Sequence, residues 1–261
     1  MNLQLQNKVI IVTGGSKGIG RAITHILADE GAIPIIVSRD EKSVLETVQK
    51  IQKNGGKCSY AIAELTDPKQ GNAAVEKVIS TYGTVHGLVN NAGVNDGVGL
   101  ENGDAESFMH SLKKNVVHYY VMAQACLPFL KENKGSIVNI GSKVSLTGQG
   151  GTSAYAAACG GRNALTREWA VELLPHSVRV NAVIVAESYT PLYEKWINTL
   201  PNPQEKLNQI ESKIPLEKRM TTPQEIANTV AFLLSEKSSH TTGQFLFVDG
   251  GYIHLDRSLN Q

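Results

Sequence analysis

Short apolar runs alternate along this chain with longer segments whose apolar residues recur three or four positions apart. The short runs predict β-strands and the longer segments predict α-helices. The predicted strands are Lys8–Thr13, Ile33–Ser38, Cys58–Ala63, Gly87–Asn90, Ser136–Ile140, Val178–Ile184 and Phe245–Val248. The predicted helices are Gly18–Glu30, Glu41–Asn54, Pro68–Tyr82, Ser111–Lys131, Ser153–Leu174 and Pro223–Leu234.

Repeated alternation of strand and helix predicts an α/β fold with a doubly wound parallel sheet of about seven strands. The strands are almost uninterrupted apolar runs, so helices are expected on both faces of the sheet, giving three layers. Pro34 has no N–H for a sheet ladder, and we place it among the first residues of its strand, where that loss costs least. No linker or repeat divides the chain, which predicts one domain over residues 1–261.

The composition narrows the class of protein. Basic and acidic residues number 25 and 24, a balance that argues against nucleic acid or an anionic membrane as a partner. The uncharged stretch 116–130 is too short to span a bilayer, and the N-terminus lacks the features of a signal peptide. Cys58, Cys126 and Cys159 are widely spaced and form no metal-binding pattern, which indicates a reducing compartment. We therefore expect a cytoplasmic protein without a metal site.

A glycine-rich segment, Thr13–Gly20, joins the first predicted strand to the first predicted helix. Glycine at such a junction permits a tight turn and lets the backbone approach a phosphate, while the helix N-terminus offers N–H groups and partial positive charge. This context predicts binding of a dinucleotide's diphosphate, as in a Rossmann fold. The expected coenzyme contacts here are Gly14, Ser16, Lys17, Gly18, Ile19 and Gly20.

Further motifs extend over nearly the whole chain. They are Asn90-Asn91-Ala92-Gly93, Ser142 thirteen residues before Tyr155, Arg179–Val183 (RVNAV) and Val248–Gly251 (VDGG). With the glycine spacing G-x-x-x-G-x-G, they make the chain resemble the short-chain dehydrogenases/reductases. Within that family it resembles L-fucose and related sugar dehydrogenases, through the segments Asn91–Gly97, Leu146–Ser153, Ala164–Ala170 and Ser239–Leu255.

The resemblance implies an NAD(P)-dependent oxidoreductase that interconverts a secondary alcohol or sugar hydroxyl with its carbonyl or lactone. It implies that Tyr155 is the acid/base and a coenzyme ligand, that Ser142 hydrogen-bonds the substrate oxygen, and that Asn115 holds a water chain. Asn91, Ala92 and Gly93 are implied coenzyme contacts.

The resemblance also implies assembly as a homotetramer through long central helices. The apolar stretches Val116–Leu130 and Ala154–Trp169 are compatible with such an interface.

The end of the second strand bears on the choice of coenzyme. An acid at this position is typical of NAD-binding proteins, whereas this chain has Ser38 followed by Arg39. A guanidinium can bind a 2′-phosphate through two parallel hydrogen bonds, and Lys17 would approach the same group. We therefore expect NADP. NAD is the alternative, because Asp40 can turn toward the ribose and both cations can be ordinary surface charges.

Glu64 and Leu65 occupy the place where the family has an acidic–hydrophobic pair beside the adenine. Glu64 would accept a hydrogen bond from the exocyclic amine; the alternative is a solvated loop acid.

One residue departs from the family's pattern. Cys159 stands four residues after Tyr155, where the family has a lysine that binds the nicotinamide ribose and lowers the pKa of the tyrosine. A cation about 4 Å away would favour the tyrosinate by roughly 4 kcal/mol. Lost proton transfer commonly costs about 10²–10⁴-fold, so Cys159→Lys is expected to raise turnover about a hundredfold or more. Lys143 and Arg162 are the nearest cations in sequence, and sequence alone places neither against Tyr155.

Three explanations fit this departure: a substitution in an otherwise normal enzyme, a non-catalytic relative that senses or stores a nucleotide, or an enzyme with a rearranged proton path.

A polar set of residues suggests the substrate. Carboxylates accept hydrogen bonds from sugar hydroxyls, and loop residues after the predicted strands supply such groups. The candidates are Glu187, Gln149, Asn95 and Trp196, with Asp96 beside them. Each has an ordinary solvated loop residue as its alternative, and reduction of apolar ketones or 3-oxoacyl substrates is the alternative reaction.

Residues 188–214 carry Pro191, Pro201 and Pro203 and show no strong strand pattern. The segment is too long for a simple connection, which predicts a lid over the substrate site.

Overall fold

A seven-stranded parallel sheet forms the centre of the protein, whose computed structural model describes residues 2–255. The strand order is β3-β2-β1-β4-β5-β6-β7, so the predicted doubly wound sheet is confirmed. The strands are β1 (Val9–Thr13), β2 (Ile33–Ser38), β3 (Ser59–Ile62), β4 (Gly87–Asn90), β5 (Ser136–Ser142), β6 (Arg179–Val185) and β7 (Phe245–Val248).

Helices connect the strands on both faces of the sheet. They are α1 (Gly18–Asp29), α2 (Glu41–Lys53), α3 (Pro68–Tyr82), α4 (Ala105–Leu112), α5 (His118–Glu132), α6 (Val144–Thr147), α7 (Ser153–Glu172), α8 (Pro191–Ile197), α9 (Pro203–Glu211) and α10 (Pro223–Leu234). A π-helical turn, Lys113–Val117, joins α4 to α5.

One expectation about helices is corrected. The single helix predicted over Ser111–Lys131 begins earlier, at Ala105, where Asp104 caps it by accepting a 2.7 Å hydrogen bond from the N–H of Ser107. It is also interrupted by the π-helical turn. Residues 188–214 contain α8 and α9, and each begins at a proline because the first helical position needs no N–H.

Apolar side chains fill both spaces between sheet and helices. One core, against α3, α5 and α7, includes Tyr119, Met122 and Leu130. The other core, against α1 and α10, includes Ile23 and Val230. This arrangement explains why the strands are apolar on both faces.

Pro34 lies where the sequence placed it, as the second residue of β2. The N–H of Ile33 donates to Lys8, on the side of β1, so the nitrogen of Pro34 faces the side of β3. The β2–β3 ladder begins one residue later, at Ile35. No ladder hydrogen bond is therefore lost to the proline.

Successive strands are added on one side of β1 up to β3 and on its other side from β4 onward, so the strand order reverses between the neighbours β1 and β4. Ligands of doubly wound sheets bind in the crevice outside the carboxyl ends of the strands at such a point. Thr13, Asn90 and Ser142 end the strands β1, β4 and β5, so the predicted motifs follow these ends.

Candidate active site

The loop between β1 and α1 is shaped by its glycines. Gly14 and Gly18 have φ angles of +65° and +51°, a left-handed region that favours glycine. A Cβ added at Gly20 would overlap the main-chain oxygen of Gly14 and the side-chain amide of Asn91. Lys17 is the N-cap of α1 and makes no side-chain capping hydrogen bond. The first N–H groups of α1 are therefore available to an anion.

Ser16 is engaged inside the protein. Its hydroxyl lies 3.0 Å from that of Ser43 and 3.4 Å from that of Ser38. The side chain is buried, so a coenzyme contact by Ser16 falls to its main-chain N–H.

Thr13 fastens the loop after β4 to the end of β1. Its hydroxyl oxygen accepts hydrogen bonds from the N–H groups of Asn91 (2.9 Å) and Ala92 (3.1 Å). The amide of Asn91 donates back to the main-chain oxygen of Thr13 over 2.9 Å. Sequence reasoning missed Thr13; the available signal was a polar residue at the end of an apolar strand.

Two ion pairs lie beside the end of β2. Lys17 pairs with Asp40, and Nη1 of Arg39 lies 2.8 Å from a carboxylate oxygen of Glu64. The hydrogen bond from Lys17, with a second from the N–H of Ser43, lowers the pKa of Asp40. Both cations expected to bind a 2′-phosphate therefore face a carboxylate.

Glu64 also accepts hydrogen bonds from the N–H and hydroxyl of Thr66, at 3.1 and 3.0 Å. Burial acts to raise the pKa of Glu64, but the hydrogen bonds from Arg39 and Thr66 outweigh it and the pKa is lowered. Leu65 packs against the hydrophobic core. Glu64 is thus an ionised, hydrogen-bonded carboxylate.

Tyr155 lies in the first turn of α7, and Ser142 ends β5. Burial, followed by the neighbouring Cys159, raises the pKa of Tyr155 to about 12, against the opposing effects of Arg162 and Ser142. Ser142 is therefore close enough to Tyr155 to influence its pKa.

Asn115 lies in the π-helical turn and connects three segments. Its Oδ1 accepts a 2.7 Å hydrogen bond from the N–H of Val94, and its amide donates to the main-chain oxygen of Ser111 over 3.0 Å. Its main-chain oxygen accepts a 2.5 Å hydrogen bond from Nε of Arg162.

Arg162 is the main feature that sequence reasoning could not place. It is only 3% exposed, and its guanidinium lies 4.6 Å from the ring centroid of Tyr119 and 5.6 Å from that of Tyr155. Cys159 is fully buried on the same helix, and burial raises the pKa of its thiol. The cation beside Tyr155 therefore comes from position 162.

Lys143 directly follows Ser142 and forms an ion pair with Glu187. The two side chains are only 11% and 12% exposed. The ammonium also lies 4.4 Å from the ring centroid of Tyr252. Burial and the charge of Glu187 raise the pKa of Tyr193, which lies close by. The predicted substrate carboxylate thus has a cationic partner 44 residues away in sequence.

The other substrate candidates are more exposed. Trp196 is 44% exposed and packs edge-to-face on Tyr193, with ring centroids 5.1 Å apart. Gln149 and Asn95 lie on exposed loops, and within residues 2–255 no hydrogen bond joins either to Lys143 or Glu187. Asp96 accepts a 2.7 Å hydrogen bond from Ser111 and pairs with Lys114, which gives it a role inside the fold.

The segment that contains α8 begins against the glycine loop. A Cβ added at Gly18 would lie 3.3 Å from the side chain of Thr190. Thr190 also caps α8, because its hydroxyl accepts from the N–H of Tyr193 over 3.2 Å. The capping residue of α8 therefore lies directly over the predicted diphosphate cradle, a position that sequence reasoning did not assign to it.

Three observations concern other kinds of site. In the part of the chain that the structure describes, no helix is long and apolar enough to cross a membrane. The same residues contain no group of three or more His, Cys, Asp or Glu side chains that could hold a metal ion. Cys58, Cys126 and Cys159 are free thiols and are buried.

Comparisons with known proteins agree with this geometry. A family model described as enoyl-(acyl carrier protein) reductase matches residues 14–253. The 3-oxoacyl-[acyl-carrier-protein] reductase FabG of Thermotoga maritima is 34% identical, over 96% of this chain and 100% of the relative. The L-fucose dehydrogenase of Mus musculus is 32% identical, over 94% of this chain and 88% of the relative. The crystal structure of Cj0485 dehydrogenase has 46% sequence identity, a TM-score of 0.94 and full coverage of both chains.

The chain therefore belongs to the short-chain dehydrogenase/reductase family, whose members bind NAD(P). Its class of activity is that of an oxidoreductase acting on alcohols, sugars or 3-oxoacyl substrates.

Proposed function

We propose that this protein is an NADP-preferring dehydrogenase that oxidises a hydroxyl of an aldose or polyol, or reduces the corresponding carbonyl or lactone. The observation that carries the substrate class is the buried ion pair of Lys143 and Glu187. Lys143 directly follows Ser142 in the sequence. The ammonium donates hydrogen bonds and the carboxylate accepts them, so adjacent hydroxyls of one sugar can bind both. An apolar substrate would shield this pair from water and offer nothing to its remaining donors and acceptors, which is costly.

Two further observations support a sugar. The exposed face of Trp196, fixed by its contact with Tyr193, offers an apolar surface for the C–H side of a sugar ring. The L-fucose dehydrogenase of Mus musculus is a relative over most of both chains. We assign Gln149 and Asn95 to the rim of the same site.

The chain's residues fit the dinucleotide. The left-handed Gly14 and Gly18, the missing Cβ of Gly20 and the uncapped start of α1 form a cradle for the diphosphate. In this proposal the main-chain N–H groups of Ser16 and Ile19 bind the diphosphate, while Asn91, Ala92 and Gly93 lie along the nicotinamide half. When bound, the coenzyme supplies the hydride acceptor or donor.

The proton is moved by the chain's own side chains. Tyr155 takes the proton of the substrate hydroxyl during oxidation and returns it during reduction. Ser142 hydrogen-bonds the same oxygen and orients it toward Tyr155. Asn115 orders this part of the site through its hydrogen bonds to Val94 and Ser111.

The preference for NADP rests on the exposed Arg39 and Lys17 beside the end of β2. A 2′-phosphate carries more charge than a carboxylate and accepts two parallel hydrogen bonds from a guanidinium. It would therefore compete with Glu64 for Arg39 and with Asp40 for Lys17. Glu64 and Leu65 remain as neighbours of the adenine.

Proton transfer is impaired at neutral pH in this proposal. A phenol with a pKa of about 12 is ionised in roughly one molecule in 10⁵ at pH 7. Cys159 is neutral and buried, so it gives the tyrosinate no charge to stabilise it. We therefore expect slow turnover at pH 7.

We also propose a cytoplasmic homotetramer of one domain, with 188–214 acting as the lid. Apolar side chains are exposed at Val117 in the π-helical turn, at Tyr120 on α5, at Val171 near the end of α7 and at Leu174 just beyond it. Exposed apolar groups on long helices favour burial against another copy of the chain.

Reduction of a 3-oxoacyl thioester is the second candidate. The observation in its favour is the 34% identity to FabG of Thermotoga maritima. A non-catalytic NADP-binding protein is excluded if either substrate class is turned over by the pure protein.

The test compares L-fucose and other aldoses with cyclopentanol and a 3-oxoacyl thioester, at pH 9, in wild type, Glu187→Gln and Lys143→Met. We expect each variant to lower kcat/KM for the aldose at least tenfold. We expect kcat/KM for cyclopentanol to stay within about twofold of the wild-type value. Glu194→Gln, an exposed acid on α8, is the matched control and should change neither. Turnover of the thioester without turnover of any aldose would overturn the substrate assignment.

A further inference from the structure

Tyr155, Cys159 and Arg162 lie on one side of α7, because residues four and seven apart share a helix face. Cys159 and Arg162 are buried, and Tyr155 is partly exposed. The position where the family has a lysine is thus occupied by a small thiol, and the next residue on this face is an arginine.

Three oxygens anchor the guanidinium. Nε donates to the main-chain oxygen of Asn115 over 2.5 Å, Nη2 to the side-chain oxygen of Asn115 over 3.3 Å, and Nη1 to the main-chain oxygen of Ile140 over 3.3 Å. These contacts use three of the five N–H groups of a guanidinium. The side chain is therefore held in one place with donors to spare.

This place borders the predicted nicotinamide site. A Cβ added at Gly93 would lie 2.8 Å from Nη2 of Arg162 and 2.9 Å from Oδ1 of Asn115. Gly93 belongs to the loop after β4 that Thr13 fastens to β1. The guanidinium consequently lies between the coenzyme loop and the ring of Tyr155.

Arg162 carries its charge without an ion-pair partner among the residues that the structure describes. None of the ion pairs found within residues 2–255 includes this arginine. Arginine stays protonated in proteins, and a buried charge without an opposite charge is costly. An ionised Tyr155 would supply the missing opposite charge during the reaction.

We propose that Arg162 replaces the family's lysine as the cation that favours ionised Tyr155, and that Cys159 is the small neutral residue that leaves room for it. This inference rests on the proposed role of Tyr155 in proton transfer. Arg162 is a positioning residue in this scheme, since it acts through Tyr155 and Asn115. A lysine at position 159 would put a second cation in the same buried space as Arg162.

Several titratable groups face this guanidinium or Tyr155, and all enter the pH dependence. They are Tyr119 and His118 on α5, and Tyr155 and Cys159 on α7, with the hydroxyl of Ser142 at the end of β5. Arg162 lowers the pKa of Tyr155, while burial and Cys159 raise it.

The test measures the pH profile of kcat/KM, from pH 7 to 10.5, in wild type, Arg162→Met, Arg162→Lys, Cys159→Lys and the double variant Cys159→Lys/Arg162→Met. We expect Arg162→Met to lower the rate at pH 8 at least tenfold, and by a similar factor throughout this range, because Tyr155 titrates above it. Arg162→Lys should retain more activity than Arg162→Met. Cys159→Lys should raise the rate at least tenfold more in the Arg162→Met background than in wild type.

The matched control is Arg167→Met, on the same helix, whose guanidinium lies 4.3 Å from the ring centroid of Phe245; its profile should match wild type. A second readout needs no substrate. Ultraviolet difference titration of wild type against Tyr155→Phe reports the ionisation of Tyr155. The pKa of Tyr155 should be lower in Arg162→Lys than in Arg162→Met. If Arg162→Met folds poorly, Arg162→Gln replaces it in both measurements.

Loss of activity in Arg162→Met that Cys159→Lys does not rescue, with the same pKa for Tyr155 in Arg162→Met as in wild type, would assign Arg162 a structural role only and overturn the inference. The proposed function fails separately, if Tyr155→Phe retains wild-type turnover.

Discussion

Nε of Arg162 donates a 2.5 Å hydrogen bond to the main-chain oxygen of Asn115, across 47 residues of sequence. The π-helical turn interrupts the regular hydrogen-bond ladder around Asn115, and such turns are frequent at functional sites. The family resemblance assigned Asn115 to a water chain, whereas here its main-chain oxygen is bonded to a cation. In the role proposed for Tyr155, the proton path near it would therefore differ from the family's expected arrangement.

The rate of oxidation should rise steeply with pH. Tyr155 is neutral below its pKa of about 12, and only the ionised form accepts a proton. We expect kcat to increase by up to about tenfold per pH unit between pH 7 and 10, since the ionised fraction grows tenfold per unit below the pKa. Steady-state assays with a saturating sugar and NADP measure this. A plateau reached below pH 8 would contradict it, and Tyr155→Phe should be inactive throughout.

Glu64→Gln should strengthen NADPH binding. The substitution removes a carboxylate that competes with a 2′-phosphate for Arg39, whose side chain is 74% exposed. An exposed pair contributes little, so we expect a gain of up to about fivefold in affinity for NADPH and none for NADH. Fluorescence titration of both coenzymes measures this.

The control for that titration is Glu46→Gln, an exposed acid on α2 that should have no effect. Arg39→Ala should weaken the binding of NADPH and leave the binding of NADH unchanged. Equal changes for the two coenzymes would remove Arg39 from the 2′-phosphate site.

Coenzyme binding should protect the lid from hydrogen exchange. Thr190 packs over Gly18, so a diphosphate at the start of α1 would contact the segment that leads into α8. We expect amide exchange in 191–211 to slow when NADPH is added, with little change at the far edge of the sheet in β3. Hydrogen-exchange mass spectrometry measures both regions. Unchanged exchange in 191–211 would argue that these helices are a static part of the fold.

Acid should destabilise the protein through His118. Burial, followed by the charge of Arg162, lowers the pKa of this buried histidine from 6.5 to about 4. The unfolded chain therefore binds a proton as the pH falls through 6.5 while the folded chain does not, so stability present above pH 6.5 is lost between pH 6.5 and 4. The full loss is about 3 kcal/mol.

Urea denaturation at pH 7 and pH 5 tests this, with His118→Gln as the comparison. His25 and His86 also have lowered pKa values and contribute to the slope. The free energy of unfolding should depend less on pH in the variant than in wild type. An identical pH dependence in the two proteins would show that His118 makes no contribution.

Local patterns determined most of the fold. The strands Ile33–Ser38, Gly87–Asn90 and Phe245–Val248, and the helices Pro68–Tyr82 and Pro223–Leu234, have the predicted bounds. Apolar periodicity and helix-starting prolines are properties of neighbouring residues, and they are therefore readable without the fold. The helices α8 and α9 were missed because the prolines that begin them also occur in irregular loops.

The sequence by itself also determined the motifs of the family, the spacing of Ser142 and Tyr155 and the absence of a lysine at position 159. Only the tertiary structure decided which cation lies beside Tyr155 and which partner Glu187 takes. Arg162 reaches Asn115 across 47 residues, and Lys143 reaches Glu187 across 44. Long side chains can turn in several directions, and packing between distant segments selects the direction that buries their charges against available oxygens.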